Sequence, residues 1–252
     1  MGKLLGHQLK RHFSKNYFLL LAPFIFALLG FLSYTISPDG ESVVFGLSFL
    51  CLSIIYCAAG IVIILDDYNM FYGKTAMFYQ SIPVSPAGKT FSRLFYYLIT
   101  FLVYSIIYGL GLFTFLGVAA TAEGASISDL KEISEDIIDA MNGVGMDMIG
   151  IVLLLFVVVA FYVASKFIFS ISLGSEKSLR RIGFAGPVLV YIGLSILNIF
   201  LLSFLSRIDY SLFSTNNINL VNGGMLSLVG IIASAILLTL TSLEVKHRTS
   251  VN

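Results

Sequence analysis

The sequence predicts an all-α integral membrane protein with six membrane-spanning helices and both termini in the cytoplasm. Three observations predict it. Hydrophobic residues fill 58% of the 252 positions and charged residues only 12%, with a mean hydropathy of +0.94; a soluble domain carries about 25% charged residues. Six continuous apolar runs each reach the roughly 20 residues that a helix needs to cross the hydrocarbon core. Finally, Lys and Arg are distributed very unevenly among the segments that join those runs. Because the runs are continuously apolar rather than alternating, a β-barrel is excluded. The net charge of +1 gives no reason to expect a nucleic-acid partner.

The chain reads as one transmembrane domain over residues 1–252. Its first element is "KLLGHQLKRHF", in which Leu4, Leu5, Leu9 and Phe13 share a helical face while Lys3, Lys10 and Arg11 lie elsewhere. That pattern predicts an amphipathic interfacial helix, apolar side down on the inner leaflet; the alternative is a merely basic topology signal. His7 and His12 are expected at the interface rather than on a metal, because the third histidine, His247, lies at the far end of the chain and no ligand cluster exists. The basic start leads into a run long enough to span without a small-residue cleavage site, so no cleavable signal is expected.

The spans are placed at Tyr17–Ser37, Val43–Leu65, Leu94–Val118, Met148–Phe169, Phe184–Leu205 and Met225–Leu243. With the N-terminus inside, the inner segments hold 13 of the 15 Lys and Arg, and the outer segments hold only Lys131 and Arg207. Positive charge stays on the cytoplasmic side, which fixes the orientation. Cys51 and Cys57 fall in the second span, six residues apart and thus divergent on a helix, as free packing thiols rather than a disulfide.

Between the spans, the first outer loop is a minimal "PDGE". The second outer loop, about 119–147, is long and acidic. Ser128 is placed to cap a short external helix, and Asn142-Gly143 to stop it. Glu132, Glu135, Asp136 and Asp139 lie off its apolar face. A structural cap is the plain reading; contact with a cationic substrate is the functional one. The last outer loop, "SRIDYSLFSTNNINLVNGG", is polar and turn-rich. Two inner segments stand out, about 66–93 and 173–183. The first carries Phe71, Tyr72, Phe78 and Tyr79 at the foot of two spans, where exposed aromatics suit a partner-docking surface.

Within the spans there is almost no charge. Asp66 and Asp67 mark the inner end of the second, and Lys166 near the inner end of the fourth is expected to snorkel. Coupled carriers and intramembrane enzymes need carboxylates, His or paired charges at mid-depth, and none is found there. Ser53, Tyr104, Ser105, Tyr108, Thr114, Ser195, Asn198 and Thr239 instead suit close packing and a mildly polar path. Gly88-Lys89-Thr90 ends like a Walker A loop. The glycine required five residues before the Gly-Lys pair is Pro83, which lacks an N–H. The tripeptide therefore does not read as a phosphate loop.

The loop "FYGK…MFYQSIPVSPAGKTFSRL" after span two, with six spans and an N-terminal amphipathic helix, resembles the transmembrane (permease) subunit of ABC-2-type exporters. It is similar in size and layout to the small permeases of Gram-positive peptide exporters, such as the Pmt type that moves phenol-soluble modulins. The resemblance implies a coupling helix at Ala76–Ile82 (Ala76, Met77, Phe78, Tyr79, Gln80, Ser81, Ile82), ended by Pro83 and Pro86. It implies Lys89 and Arg93 at the inner headgroup level, and a second contact around Ser175, Glu176 and Lys177. It implies no cofactor on this chain, with ATP and Mg on a separate ABC ATP-binding subunit, and a second permease subunit, identical or homologous. One departure is that the longer outer loop here joins spans three and four.

The expected function is therefore export of a hydrophobic or amphipathic substrate, peptide above lipid or drug, across a bacterial cell membrane by a multi-pass permease subunit that is not itself an enzyme. Candidate substrate contacts are Glu132, Glu135, Asp136, Asp139 and Asn198; no catalytic or metal residue is expected. The alternatives are a non-transporting sensor or immunity protein that binds a peptide, and an intramembrane enzyme, which the placement of all three His near the termini disfavours.

Overall fold

The computed structural model describes residues 1–36, 43–73, 75–122, 135, 146–176, 179–208 and 220–250, and every regular element among them is helical. In order they are α1 (Gly2–Lys15), α2 (Tyr17–Ile36), α3 (Val43–Phe71), α4 (Ala76–Ser81), α5 (Pro86–Ala122), α6 (Met146–Gly174), a 3-10 turn (Arg180–Ile182), α7 (Ala185–Ile208) and α8 (Leu220–Ser250). Each of the six apolar runs coincides with a helix, save that Phe184 is a turn residue before α7 and Ser37 lies outside the described residues. The "PDGE" loop, residues 123–145 of the acidic segment apart from Glu135, and most of the polar stretch before α8 lie outside the described residues.

Four stretches are long and apolar enough to cross a membrane: Gly46–Phe71, Pro86–Gly117, Gly150–Gly174 and Leu226–His247. Helices α1 and α2, bent by 48° at their junction, make a fifth if taken as one span; the apolar stretch Ala185–Leu201 of α7 is shorter. Large apolar side chains on these helices point away from the protein, Phe113 at 76% and Phe200 at 70% exposure. Such a surface is stable against hydrocarbon rather than water. These are the helices of a multi-pass membrane protein.

Two helix boundaries differ from the hydropathy reading, each for a local reason. Helix α5 starts at Pro86 rather than Leu94 because Ser85 caps it. The Gly88 N–H donates to Ser85 Oγ at 3.2 Å, and Pro86 occupies the first helical position, where its missing N–H is harmless. Helix α3 continues beyond Leu65 to Phe71, carrying Asp66 and Asp67 with it. Both aspartates are buried, and a partner found for Asp67 below makes that tolerable.

The chain divides into two compact units. One comprises His7–Leu65 and Ile99–Val144. There α5 is tied to its neighbours by the polar residues that the sequence left as path-lining candidates. His12 Nε2 meets Tyr104 Oη at 3.1 Å, Tyr56 Oη meets Ser105 Oγ at 2.9 Å, and Tyr108 Oη donates to the Leu19 carbonyl at 3.3 Å. A Cβ on Gly111 would lie 2.8 Å from Pro23, so α2 and α5 approach closely there. The expectation of an interfacial His12 is corrected. It sits in a buried stripe with Leu4 and Gln8, spaced i, i+4 along α1, because Tyr104 offers it a partner. The apolar Leu5, Leu9 and Phe13 are only half-buried. Both cysteines are free, but Cys57 is exposed on the helix surface rather than packed.

The other unit comprises Met1–Gly6, Asp66–Leu98 and Gly145–Asn252. Within it α6 packs against α7 and α8. The α6-to-α7 turn brings backbone to backbone: a Cβ on Gly174 would run into Pro187, and one on Gly186 into the Gly174 carbonyl. A groove of about 550 Å³ lies among α5, α6 and α8, lined almost wholly by apolar surface from side chains such as Leu94, Val158, Phe161 and Leu238. The short helix α4 also belongs to this unit.

Candidate functional site

Helix α4 has only six residues, too few to hold itself together in isolation. Its stability comes from what its inward face touches. Tyr79 is fully buried, its ring 5.5 Å from that of Phe71 at the end of α3. Gln80 Nε2 donates to the Phe71 carbonyl at 3.0 Å, supplying a donor to a C-terminal carbonyl of α3. Lys89, in the first turn of α5, donates from Nζ to the Gln80 carbonyl at 2.7 Å and does the same for the end of α4. Before α4, Thr75 Oγ1 donates to the Asn69 carbonyl at 2.9 Å. The outward face is left bare, with Met77 89% and Phe78 53% exposed.

Beneath Phe71 lies a buried ion pair. Arg93 on α5 grips Asp67 on α3 with two hydrogen bonds, Nε to Oδ1 at 2.9 Å and Nη2 to Oδ2 at 2.6 Å. Both side chains are essentially sealed, at 1% and 0% exposure. Tyr97 Oη donates to Asp67 Oδ2 at 3.2 Å. The remaining Arg93 nitrogen, Nη1, donates to Ser172 Oγ on α6 at 2.8 Å, and Tyr72 Oη donates to the same oxygen at 2.8 Å. The guanidinium also lies over two rings, 4.9 Å from the Phe71 centroid and 5.5 Å from that of Tyr72. A bidentate, charge-assisted pair with further donors on the carboxylate is the form in which buried charge is sustainable. The cluster joins the ends of α3, α5 and α6 at one point, with α4 resting on it through Phe71.

Against the sequence expectations, Ala76, Met77, Phe78, Tyr79, Gln80 and Ser81 do form a short helix, but Ile82 leaves it with extended backbone, followed by Pro83. Phe71 and Tyr79 are not exposed docking aromatics: Phe71 is 5% exposed and Tyr79 is buried, because each is needed to seat α4. Arg93 is buried within the protein, drawn inward by the carboxylate of Asp67. Ser175 is buried just past the end of α6, its hydroxyl donating to the Ile171 carbonyl at 2.6 Å, and Glu176 is half-buried beside it. Lys177 lies outside the described residues, as do Glu132, Asp136 and Asp139. Glu135 is helical and exposed, and Asn198 is half-buried on α7.

Lys166 does not snorkel outward. It is buried, its Nζ donating to Ser195 Oγ on α7 at 2.7 Å and lying 4.3 Å from the Tyr191 ring centroid. That ring stacks in turn on Phe167 at 4.7 Å. The Gly88-Lys89-Thr90 segment is the opening turn of α5, with Thr90 Oγ1 donating to the Pro86 carbonyl at 3.1 Å and Lys89 engaged with α4. Among the described residues, no three His, Cys, Asp or Glu side chains gather as a metal site.

Sequence reading missed the Asp67–Arg93 pair, although its signal was present: opposite charges were assigned to the same level at the ends of adjacent spans. Nothing in the sequence distinguishes Ser172 from the other serines of α6. No protein-family model, curated protein or solved structure matches the chain.

Proposed function

We propose that this chain is the transmembrane subunit of an ATP-binding-cassette exporter of the ABC-2 type. In this reading six helices span the bacterial cell membrane, both termini are cytoplasmic, and α4 faces the cytoplasm. A separate ABC subunit carries ATP and Mg, and a second permease subunit completes the path for a hydrophobic or amphipathic substrate, peptide above lipid or drug. The observation that carries the proposal is α4 itself. A six-residue helix would not persist in a loop unless held, and this one is held from within by Tyr79, Gln80 and Lys89 while Met77 and Phe78 remain largely exposed. A held element presenting exposed apolar side chains on the basic side of the membrane suits insertion into a groove on a partner protein.

The structure changes which residues test this. Met77 and Phe78 are the anchors, and Tyr79 is a support. Truncating an interface anchor commonly costs about 2 kcal/mol or more, roughly thirtyfold in affinity. Met77→Ala with Phe78→Ala should therefore lose copurification with the proposed ATP-binding-cassette subunit while leaving membrane insertion and monodispersity intact. Full retention of the complex in that variant would overturn the docking assignment and favour the peptide-binding protein that does not transport.

A further inference from the structure

We propose that α4 and α6 are built to move as one body, linked by the Ser172 hydroxyl through Arg93 and Tyr72. The chain of contacts is continuous. The bare face of α4 is backed by Tyr79, which packs on Phe71. Phe71 lies against the Arg93 guanidinium, and Arg93 is pinned to Asp67 on α3. From there two hydrogen bonds converge on one oxygen of α6, from Arg93 Nη1 and Tyr72 Oη, both at 2.8 Å. A serine oxygen has two lone pairs, and Arg93, which lies against the Phe71 that seats Tyr79, and the neighbouring Tyr72 both donate to it.

The arrangement is rigid because each member is fixed from a second side. Three of Arg93's nitrogens are engaged, on two different helices. Its planar fork loses little further freedom on binding. Gln80 and Lys89 fasten α4 at both the α3 and α5 sides. A push on Met77 or Phe78 is passed through these contacts toward α6. If α4 is the docking element proposed above, on which this consequence rests, the motion delivered by the partner arrives at α6 rather than at α4 alone.

The test reads α4 while altering α6, on the chain alone in lipid nanodiscs, so no ATPase is needed. Ser172→Ala removes the acceptor and leaves the Asp67–Arg93 pair in place. Amide hydrogen exchange in the peptide covering residues 75–83 should accelerate on the order of tenfold, the scale of ordinary coupling between sites. Ser172→Thr, which retains the hydroxyl, should restore slow exchange. Ser170→Ala is the control, because Ser170 Oγ donates only to the Lys166 carbonyl of its own helix at 2.7 Å; it should leave α4 unchanged. Unaltered exchange at 75–83 in Ser172→Ala overturns the linkage, as does an equal acceleration in Ser170→Ala. Copurification of the parent chain with an ATPase subunit is scored separately, so failure of the docking reading and failure of the linkage are told apart.

Discussion

Replacing Arg93 by Met should be among the most damaging single changes in the chain, and replacing Asp67 at the same time should repair most of it. In Arg93→Met the Asp67 carboxylate stays sealed at 0% exposure and keeps only the Tyr97 hydroxyl among the contacts described above. It loses a bidentate partner at 2.9 and 2.6 Å. Stranding one charge of a buried pair costs about 3–5 kcal/mol, whereas exchanging both partners for apolar residues of similar volume is often neutral. At about 2–4 °C per kcal/mol for a chain of this size, each single variant should melt roughly 6–20 °C below the parent. Asp67→Leu with Arg93→Met should melt close to it. Heating the detergent-solubilised protein and following the monodisperse fraction by size-exclusion chromatography gives the three midpoints. The pair is shielded from solvent, so the pattern should be insensitive to ionic strength. A double variant that loses as much as the two singles added together would refute the argument, because it would mean that the residues do not share an interaction.

Two further outcomes are expected. Lys89→Met should raise protease access to the α4 loop, since Lys89 is occupied with the Gln80 carbonyl, and should leave ATP binding unchanged in any complex formed with the proposed ATPase subunit; a large drop in ATP affinity would restore the phosphate-loop reading. Gly186→Val should prevent α6 and α7 from closing, because any Cβ there meets the Gly174 carbonyl, and should abolish monodisperse expression, whereas Gly193→Val, at an open position, should not.

The helices were legible in the sequence because a span is dictated by a run of composition, and runs survive any detail of packing. Their ends were less so. Leu65 looked like the end of the second span because two aspartates follow, and no local rule says that Asp67 will be neutralised by a residue 26 positions away. The short helix was expected from the sequence resemblance, yet which of the neighbours Phe78 and Tyr79 would be buried could not be assigned until Phe71 was placed. Tyr104, Ser105 and Tyr108 were recognisable as unusual residues in an apolar helix. Whether they line a path or fasten neighbours depends on where His12, Tyr56 and Leu19 come to lie, and that is tertiary information.

The spacing of the ion pair along the chain also orders its biogenesis. Asp67 leaves the ribosome first, and Arg93 follows 26 residues later, about 1–5 s at ordinary elongation rates. Ser172 emerges 79 residues after Arg93, roughly 4–16 s further on. The hairpin of α3 and α5 can thus cancel its opposite charges before α6 exists, and the last helix of the cluster is received by a neutral pair already in position.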